Sequence, residues 1–585
     1  MSHHLPAVAP AVTAEIVGAL SPRLRKRLDA AITKIADRPV IRDGDTVRIT
    51  VDDETGLELH APAGVVTTAD AIRCGCLLAP GCLHRAAIAS AAPVADPVAD
   101  TSSAPDAGQP SPDGDAGPPQ PSEAEESTAT PEQRAAAGHL WAAGSALLDT
   151  GIEGAGAVLQ SELLRAAHTA KLAGLPRPAA AAVSVVTALR SARSADPAHR
   201  LADLTAAVLE LLGTAHRLPD ATGPELAALR GTARQTYVPD GSLRLYGLFT
   251  EPLITAGGYA GAITWTAAAD GRLYTVSDIA PGGPGRATAA AGRTVRLGDT
   301  ALTHRQLSHA GLALSGATVS PTGRLGAGAG VKAVQAAGAA WTDEPLAALW
   351  APLAAQQVAR ALHSQAPGAD LLFLDVTILG PARETGGDCL LATCDDLTLR
   401  LTAAHDHPAL AYRDNLRMLA ALPGTSLRVV GRLLPDSRPS LQLLAAAHPA
   451  DPARRVDLGL DRLQRADLPS AAPPVAQVPT GREADRAPLH LLRRRLEQAV
   501  AAGRPFLSVP GSLSADAGQL RRSALPTAAD LLAELQRTAT RRARDPFGRL
   551  LPADPTDFAR AWLGAALYTE AAETSLCAAA WQQER

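Results

Sequence analysis

The sequence predicts an α+β protein of several domains, on three observations. At 585 residues the chain exceeds the ~250–300 residues that one hydrophobic core usually serves. Apolar residues make up 46% of it, enough to fill more than one core. The apolar spacing also changes along the chain. Stretches with helical period alternate with short segments of period two, and Pro-rich joints lie between them.

In chain order, residues 1–92 read as a small N-terminal module. Residues 12–37 are amphipathic, with Ser21 and Pro22 placed to start or restart a helix. "DTVRITVD" and "TGLELHA" follow as two β segments around a turn near Asp53–Gly56. A cysteine cluster comes next, and then "HRAAIASAA", the start of a helix. Between Ala92 and Glu132 there are nine prolines and nine acidic residues, with no aromatic and no basic residue. Such a segment buries too little apolar surface to offset its chain entropy, so 93–132 is expected to be a disordered acidic linker.

Residues 133–236 read as a helical domain. Residues 237–345 turn to β, with "SLRLYGLFTEPL", "AGAITWTA" and "RLYTVSDI" separated by Gly/Asp turns. Residues 346–450 read as a helix, with Thr342 as its N-cap, followed by a β-β-α-β-β series whose size suits a small OB-like barrel. Residues 451–480 are expected to be a second linker, and 481–585 an Arg-rich helical C-terminus.

Charge and composition exclude some functions. The net charge of −4 gives no global field for nucleic acid or membrane. Four of the 55 basic residues are lysines (Lys26, Lys34, Lys171, Lys332); with the heavy Ala, Gly and Pro usage this suggests a GC-rich bacterial genome. The longest apolar run, "AAAAVSVVTAL", falls short of the ~20 residues a membrane helix needs. The first twenty residues lack a basic segment ahead of an apolar run. The expectation is a cytoplasmic protein, where clustered cysteines bind metal or do redox chemistry more often than they form disulfides.

"AIRCGCLLAPGCLHRAAI" (71–88) holds three of the six cysteines. Cys74, Cys76, Cys82 and His84 follow the spacing C-x-C-x5-C-x-H. Three thiolates and an imidazole are a standard tetrahedral set for structural Zn2+, closed against catalysis. Gly75 is expected to let the chain fold tightly, and Pro80–Gly81 to turn the second pair back. Cys82 and His84 then stand at the mouth of a helix, whose dipole favours thiolate.

Two β segments, C-x-C, a loop, C-x-H and a helix together resemble the SWIM-type zinc finger, over about residues 45–92. The resemblance implies Cys74, Cys76, Cys82 and His84 as zinc ligands and a protein or DNA partner.

Other signals carry less. "SPTGRLGAGAGVKA" lacks the GK-[ST] of a P-loop, and Gly326, Gly328 and Gly330 do not form G-x-G-x-x-G, so no nucleotide cofactor is expected. His405 and His407 read as a surface turn, and Cys389, Cys394 and Cys577 as buried small residues. Neither G-x-S-x-G nor H-E-x-x-H occurs. In the barrel-like segment the only aromatics are Phe373 and Tyr412, too few for single-strand stacking. Two basic patches remain: Arg23, Arg25, Lys26 and Arg27; and Arg493, Arg494 and Arg495 with Arg541, Arg542 and Arg544. They suit phosphate or an acidic partner.

The expected function is that of a zinc-binding interaction or adaptor protein. An enzyme with its site in residues 237–450 and a nucleic-acid binder using the arginine helices are the alternatives.

Overall fold

In a computed structural model of the chain, the described residues are 5–36, 38–52, 55–95, 128–232, 237–255, 258–328, 330–364, 366–384, 387–468, 487–509, 511, 513–541, 545–549, 551 and 554–582. Helix and strand are both abundant, at 44% and 26%, as the mixed class requires. The chain forms two compact units. The first comprises Met1–Arg234 and Arg486–Thr569, the second Gln235–Asp485 and Glu570–Arg585.

The first unit begins with β1 (Ala7–Val8), α1 (Pro10–Gly18), α2 (Pro22–Arg25) and α3 (Leu28–Ala36). The single amphipathic helix expected over 12–37 is therefore three. Pro22 opens α2 as its first residue, after Ser21, because proline is tolerated in the first turn of a helix, where its missing N–H has no partner to lose. Strands β2 (Val40–Asp43), β3 (Thr46–Thr50), β4 (Gly56–His60), β5 (Val65–Val66) and β6 (Ile72–Cys74) precede α4 (Leu83–Ala91). The expected pair, β3 and β4, lies inside a four-stranded sheet of order β2-β3-β4-β6. One face of this sheet is apolar. Val47, Ile49, Leu57, Leu59 and Ile72 join α1 residues Val12, Ile16 and Val17, together with Ile88 of α4, in one buried cluster.

Helices α5 (Pro131–Gly154), α6 (Ala157–Leu172), α7 (Pro176–Arg193), α8 (Leu201–Arg217) and α9 (Gly223–Arg230) follow. Of the linker expected over 93–132, residues 96–127 lie outside the described residues. Its two ends are built in: Val94 bridges Val8, and Thr130 caps α5 in a capping box with Gln133. Ala157 of α6 shares the buried cluster of the N-terminal module, so that module packs directly on the helical bundle.

The second unit starts with β7 (Val238–Ile254), β8 (Tyr259–Ala268), β9 (Leu273–Pro281), α10 (Pro284–Ala290), α11 (His304–Leu307), β10 (Gly311–Val319) and β11 (Lys332–Ala336). These strands form a sheet of order β11-β10-β7-β8-β9. The helix expected with Thr342 as N-cap is broken: a short turn at Leu346–Trp350 precedes α12 (Ala354–His363), whose N-cap is Leu353. Pro345 and Pro352 each remove a backbone donor that a continuous helix would need.

Then come β12 (Leu371–Glu384), β13 (Gly387–Cys394), β14 (Leu397–Ala403), α13 (Tyr412–Ala420), β15 (Ser426–Leu434), β16 (Ser440–His448) and β17 (Asp451–Asp457). Residues 451–457, expected as linker, are a strand that pairs with β16; residues 469–480 lie outside the described residues. The strands close on themselves. β12 pairs antiparallel with β13 and β13 with β14; β14 pairs parallel with β16; β16 pairs antiparallel with β15, and β15 with β12. Leu372, Leu374, Leu399, Leu401 and Leu441 belong to one buried cluster within this set of strands.

The C-terminal helices are α14 (His490–Ala502), α15 (Arg504–Leu507), α16 (Ser514–Arg522), α17 (Pro526–Thr540) and α18 (Thr556–Ala580). Within α18 the residues up to Thr569 belong to the first unit and those from Glu570 to the second.

Candidate metal centre

Strand alternation positions the first cysteine. Cys74 pairs with Leu57 and Ile72 with Leu59, so Cys74 shares the inner face of the sheet with those two leucines. Cys76 lies in the bend just beyond the end of β6. Gly75 is not required for this. Its N–H continues the ladder to the Gly56 carbonyl at 3.0 Å, and a Cβ there would meet Gly56 at an ordinary 3.8 Å. The tight fold expected at Gly75 is strand geometry, open to any residue.

Cys82 is the N-cap of α4, and His84 lies in that helix's first turn. The ligand atoms of Cys74, Cys76, Cys82 and His84 all fall within 4.8 Å of one another, and Cys74 Sγ is 3.7 Å from His84 Nδ1. A tetrahedral ion with metal–sulfur bonds of ~2.3 Å sets its sulfurs about 3.8 Å apart. The donors are therefore within about an ångström of a closed shell, and the set is compatible with a metal ion such as zinc.

The three thiols differ. Burial pushes Cys74 up to about 12 and also raises Cys82, against the opposing pull of the Arg85 backbone N–H. Burial opposes ionisation of Cys76 too, but the backbone N–H groups of Leu78 and Ala79 and the neighbouring thiols hold it below its usual value. Cys76 is the first of the three to present a thiolate.

Arg85, which sequence reasoning passed over, is 6% exposed. It donates from Nε to the Ile72 carbonyl at 2.6 Å, from one terminal nitrogen to the Pro80 carbonyl at 2.6 Å, and from the other to the Ala69 carbonyl. A lone arginine in an Ala-rich helix start was the available signal. Beyond the ligands, Leu77 and Leu78 are fully and two-thirds exposed, in a loop without a charged residue.

The basic residues are spread over separate helices. Arg23, Lys26 and Arg27 are exposed in or just after α2, while Arg25 donates to the Gly18 carbonyl at 2.5 Å. On α14, Arg494 and Arg495 are engaged by Asp516, at 3.2 and 2.7 Å; Arg493 is exposed. Arg541 pairs with Asp557 at 3.0 Å. Arg542 and Arg544 lie outside the described residues. Internal carboxylates thus absorb much of the second patch.

In the second unit, a cleft of about 240 Å3 is lined by Asp370, Glu570 and Glu573 among others. His304, His309 and Asp457, three groups that burial displaces in that unit, are not among its lining residues. Cys394 belongs to the main strand cluster and Cys389 to a small separate one, and Cys577 is buried with Trp581. No helix among the described residues is long and apolar enough to cross a membrane. The chain matches no protein-family model, no curated protein and no solved structure.

Proposed function

We propose that this is a zinc-binding interaction protein whose N-terminal module is a SWIM-like finger presenting a surface to a protein partner in the cytoplasm. The observation that carries the reading is the convergence of Cys74, Cys76, Cys82 and His84 within 4.8 Å. Four protein donors fill a tetrahedral shell and leave no position for substrate, so the ion supplies structure, not catalysis. Beside it, exposed Leu77 and Leu78 form an uncharged surface suited to apolar contact. The pairing circuit β12-β13-β14-β16-β15-β12, with α13 between β14 and β15, supports an OB-type reading of that region.

The internal pairing of Arg494, Arg495 and Arg541 favours a protein partner over DNA. Elemental analysis of the gently purified chain tests the reading. One zinc per chain, lost in Cys76→Ser, is the expected result. A folded chain without zinc overturns it. Pull-downs comparing wild type with Leu77→Asp/Leu78→Asp test the surface: bound proteins lost from the variant, with its zinc retained, are expected. Identical recoveries would place the partner surface elsewhere.

A further inference from the structure

We infer that Arg85 holds the ligand loop in its binding shape before the metal arrives, so that zinc enters a preformed site; this rests on reading the cluster as a metal centre. Two of the carbonyls that Arg85 grips belong to Ile72 and Pro80. Ile72 stands two residues before Cys74, and Pro80 two residues before Cys82. One guanidinium therefore fixes the strand that ends at Cys74 against the segment carrying Cys82. Its third carbonyl, from Ala69, anchors the turn that leads into β6. Arg85 also follows His84 directly, so the same side chain sets the first turn of α4.

The partners are carbonyls, and the side chain is buried. Burying a charge is costly unless it is fully hydrogen-bonded or neutralised. A divalent ion held by three thiolates and a neutral imidazole carries a net charge of −1, and the guanidinium complements it. Lysine does not reproduce this role, because a single ammonium lacks the planar fork that reaches three divergent carbonyls.

The experiment uses the full chain and Zn2+ alone, in competition with a chromophoric chelator, on wild type, Arg85→Met, Arg85→Lys and a core control, Ile88→Val. Amide exchange at Gly75 and Ala79 is followed in the metal-free proteins. Partners that orient metal ligands typically change affinity 10–100-fold when removed. That loss is expected in Arg85→Met and a smaller one in Arg85→Lys, with Ile88→Val near wild type. Slow exchange at Gly75 and Ala79 in metal-free wild type should become fast in Arg85→Met.

Zinc affinity unchanged in Arg85→Met overturns the inference, as does an equal loss in Ile88→Val, which would mark a general effect of stability. If Arg85→Met does not fold, Arg85→Lys decides: affinity within twofold of wild type refutes the role. A wild-type chain that takes up no Zn2+ overturns the metal reading itself, and this inference with it.

Discussion

Asp29 Oδ1 accepts the backbone N–H of Ala157 at 3.0 Å, across 128 residues of sequence. Ala157 is the first residue of α6, whose own N-cap, Gly156, offers no side chain. The N-terminal module thus supplies the cap of a bundle helix, and Arg193 of α7 reaches the same oxygen at 3.3 Å. A cap of this kind contributes ~1 kcal/mol. Asp29→Ala should lower unfolding stability by about that amount, with Asp29→Asn close to wild type. A Cβ at Gly156 would lie 2.4 Å from Asp29 Oδ2, so Gly156→Ala should be destabilising in wild type and nearly neutral beside Asp29→Ala. Urea titrations of wild type, the two single variants and the double variant measure the coupling; additive effects would mean that Asp29 and position 156 do not meet, and an unchanged Asp29→Ala would mean that the cap contributes nothing.

This docking changes what metal removal should do. A module isolated behind a linker would lose its fold with its zinc. Here β3, β4, α1 and α4 share a core that includes Ala157 of the bundle, and each fully buried Leu or Ile contributes roughly 1.5–3 kcal/mol. Chelation of the full chain should therefore accelerate amide exchange in 74–84 and leave Leu57 and Leu59 protected. Loss of protection at those two leucines would show that the metal holds the whole module.

Zinc uptake should release protons. Burial raises Cys74 and Cys82 further above the ordinary thiol value, which itself lies above neutral pH, so both must give up their protons to bind. About two to three protons per zinc should appear at pH 7, and affinity should fall as pH falls. An indicator dye in weakly buffered solution reads the count. Fewer than one proton per zinc would mean that the thiols are already ionised.

What the sequence made legible follows from where the information sits. The four ligands lie within eleven residues, and a strand end, the bend after it and a helix start converge them. β3 and β4 were readable because Val47, Ile49, Leu57 and Leu59 alternate cleanly. β2 was not: Ile41, Arg42 and Asp43 are all exposed at a sheet edge, and their pattern carries no buried face. β17 was obscured by Pro452 and two consecutive arginines, and is placed by pairing with β16 rather than by its own propensity. Arg85 left only a weak mark, a lone arginine in an Ala-rich helix start, because its three carbonyl partners come together only when residues 69, 72 and 80 are folded around it.

Asp457 gives the second unit a pH dependence. It is 1% exposed, and its Oδ1 has no hydrogen-bond partner among the described residues. Burial pushes its carboxyl up to about 6, although the Thr250 backbone N–H, Arg455, the Ser308 hydroxyl and Arg305 all pull it down. With its native pKa above that of the unfolded chain, the native state holds the proton more tightly between about pH 4 and 6. This group's stabilisation is complete below the unfolded value and is lost as pH rises through 6. Asp457→Asn should therefore be more stable than wild type at pH 7, by roughly 3 kcal/mol at most, and the gain should vanish by pH 4. A difference independent of pH would show that the carboxyl stays ionised.

Glu251 and Arg432 join the sheet of β7 to the strands β12–β16. Glu251 is 7% exposed. Its Oε1 accepts Trp265 Nε1 at 2.8 Å and one Arg432 nitrogen at 3.0 Å, while Oε2 accepts the other at 3.2 Å. Arg432 Nε meanwhile donates to Asp370 at 2.6 Å. Phe249, Trp265, Trp350, Phe373 and Val430 share one buried cluster; the Glu251 side chain is 9% exposed and that of Arg432 31%. Removing one partner of a buried pair costs ~3–5 kcal/mol, because the other charge is left uncompensated. Arg432→Met strands the Glu251 carboxylate and should cost no more than the lower end of that range, about 3 kcal/mol, because solvent reaches the Arg432 side. Glu251→Gln should cost less, since Arg432 keeps Asp370 and the amide oxygen can still accept from Trp265. Removing both charges together, as Glu251→Leu/Arg432→Met, should be milder than Arg432→Met alone, for no buried charge then remains unpaired. Chemical denaturation of the three variants, followed by the fluorescence of the clustered tryptophans, ranks them. If the double variant is the least stable, the pair contributes net attraction beyond mutual neutralisation.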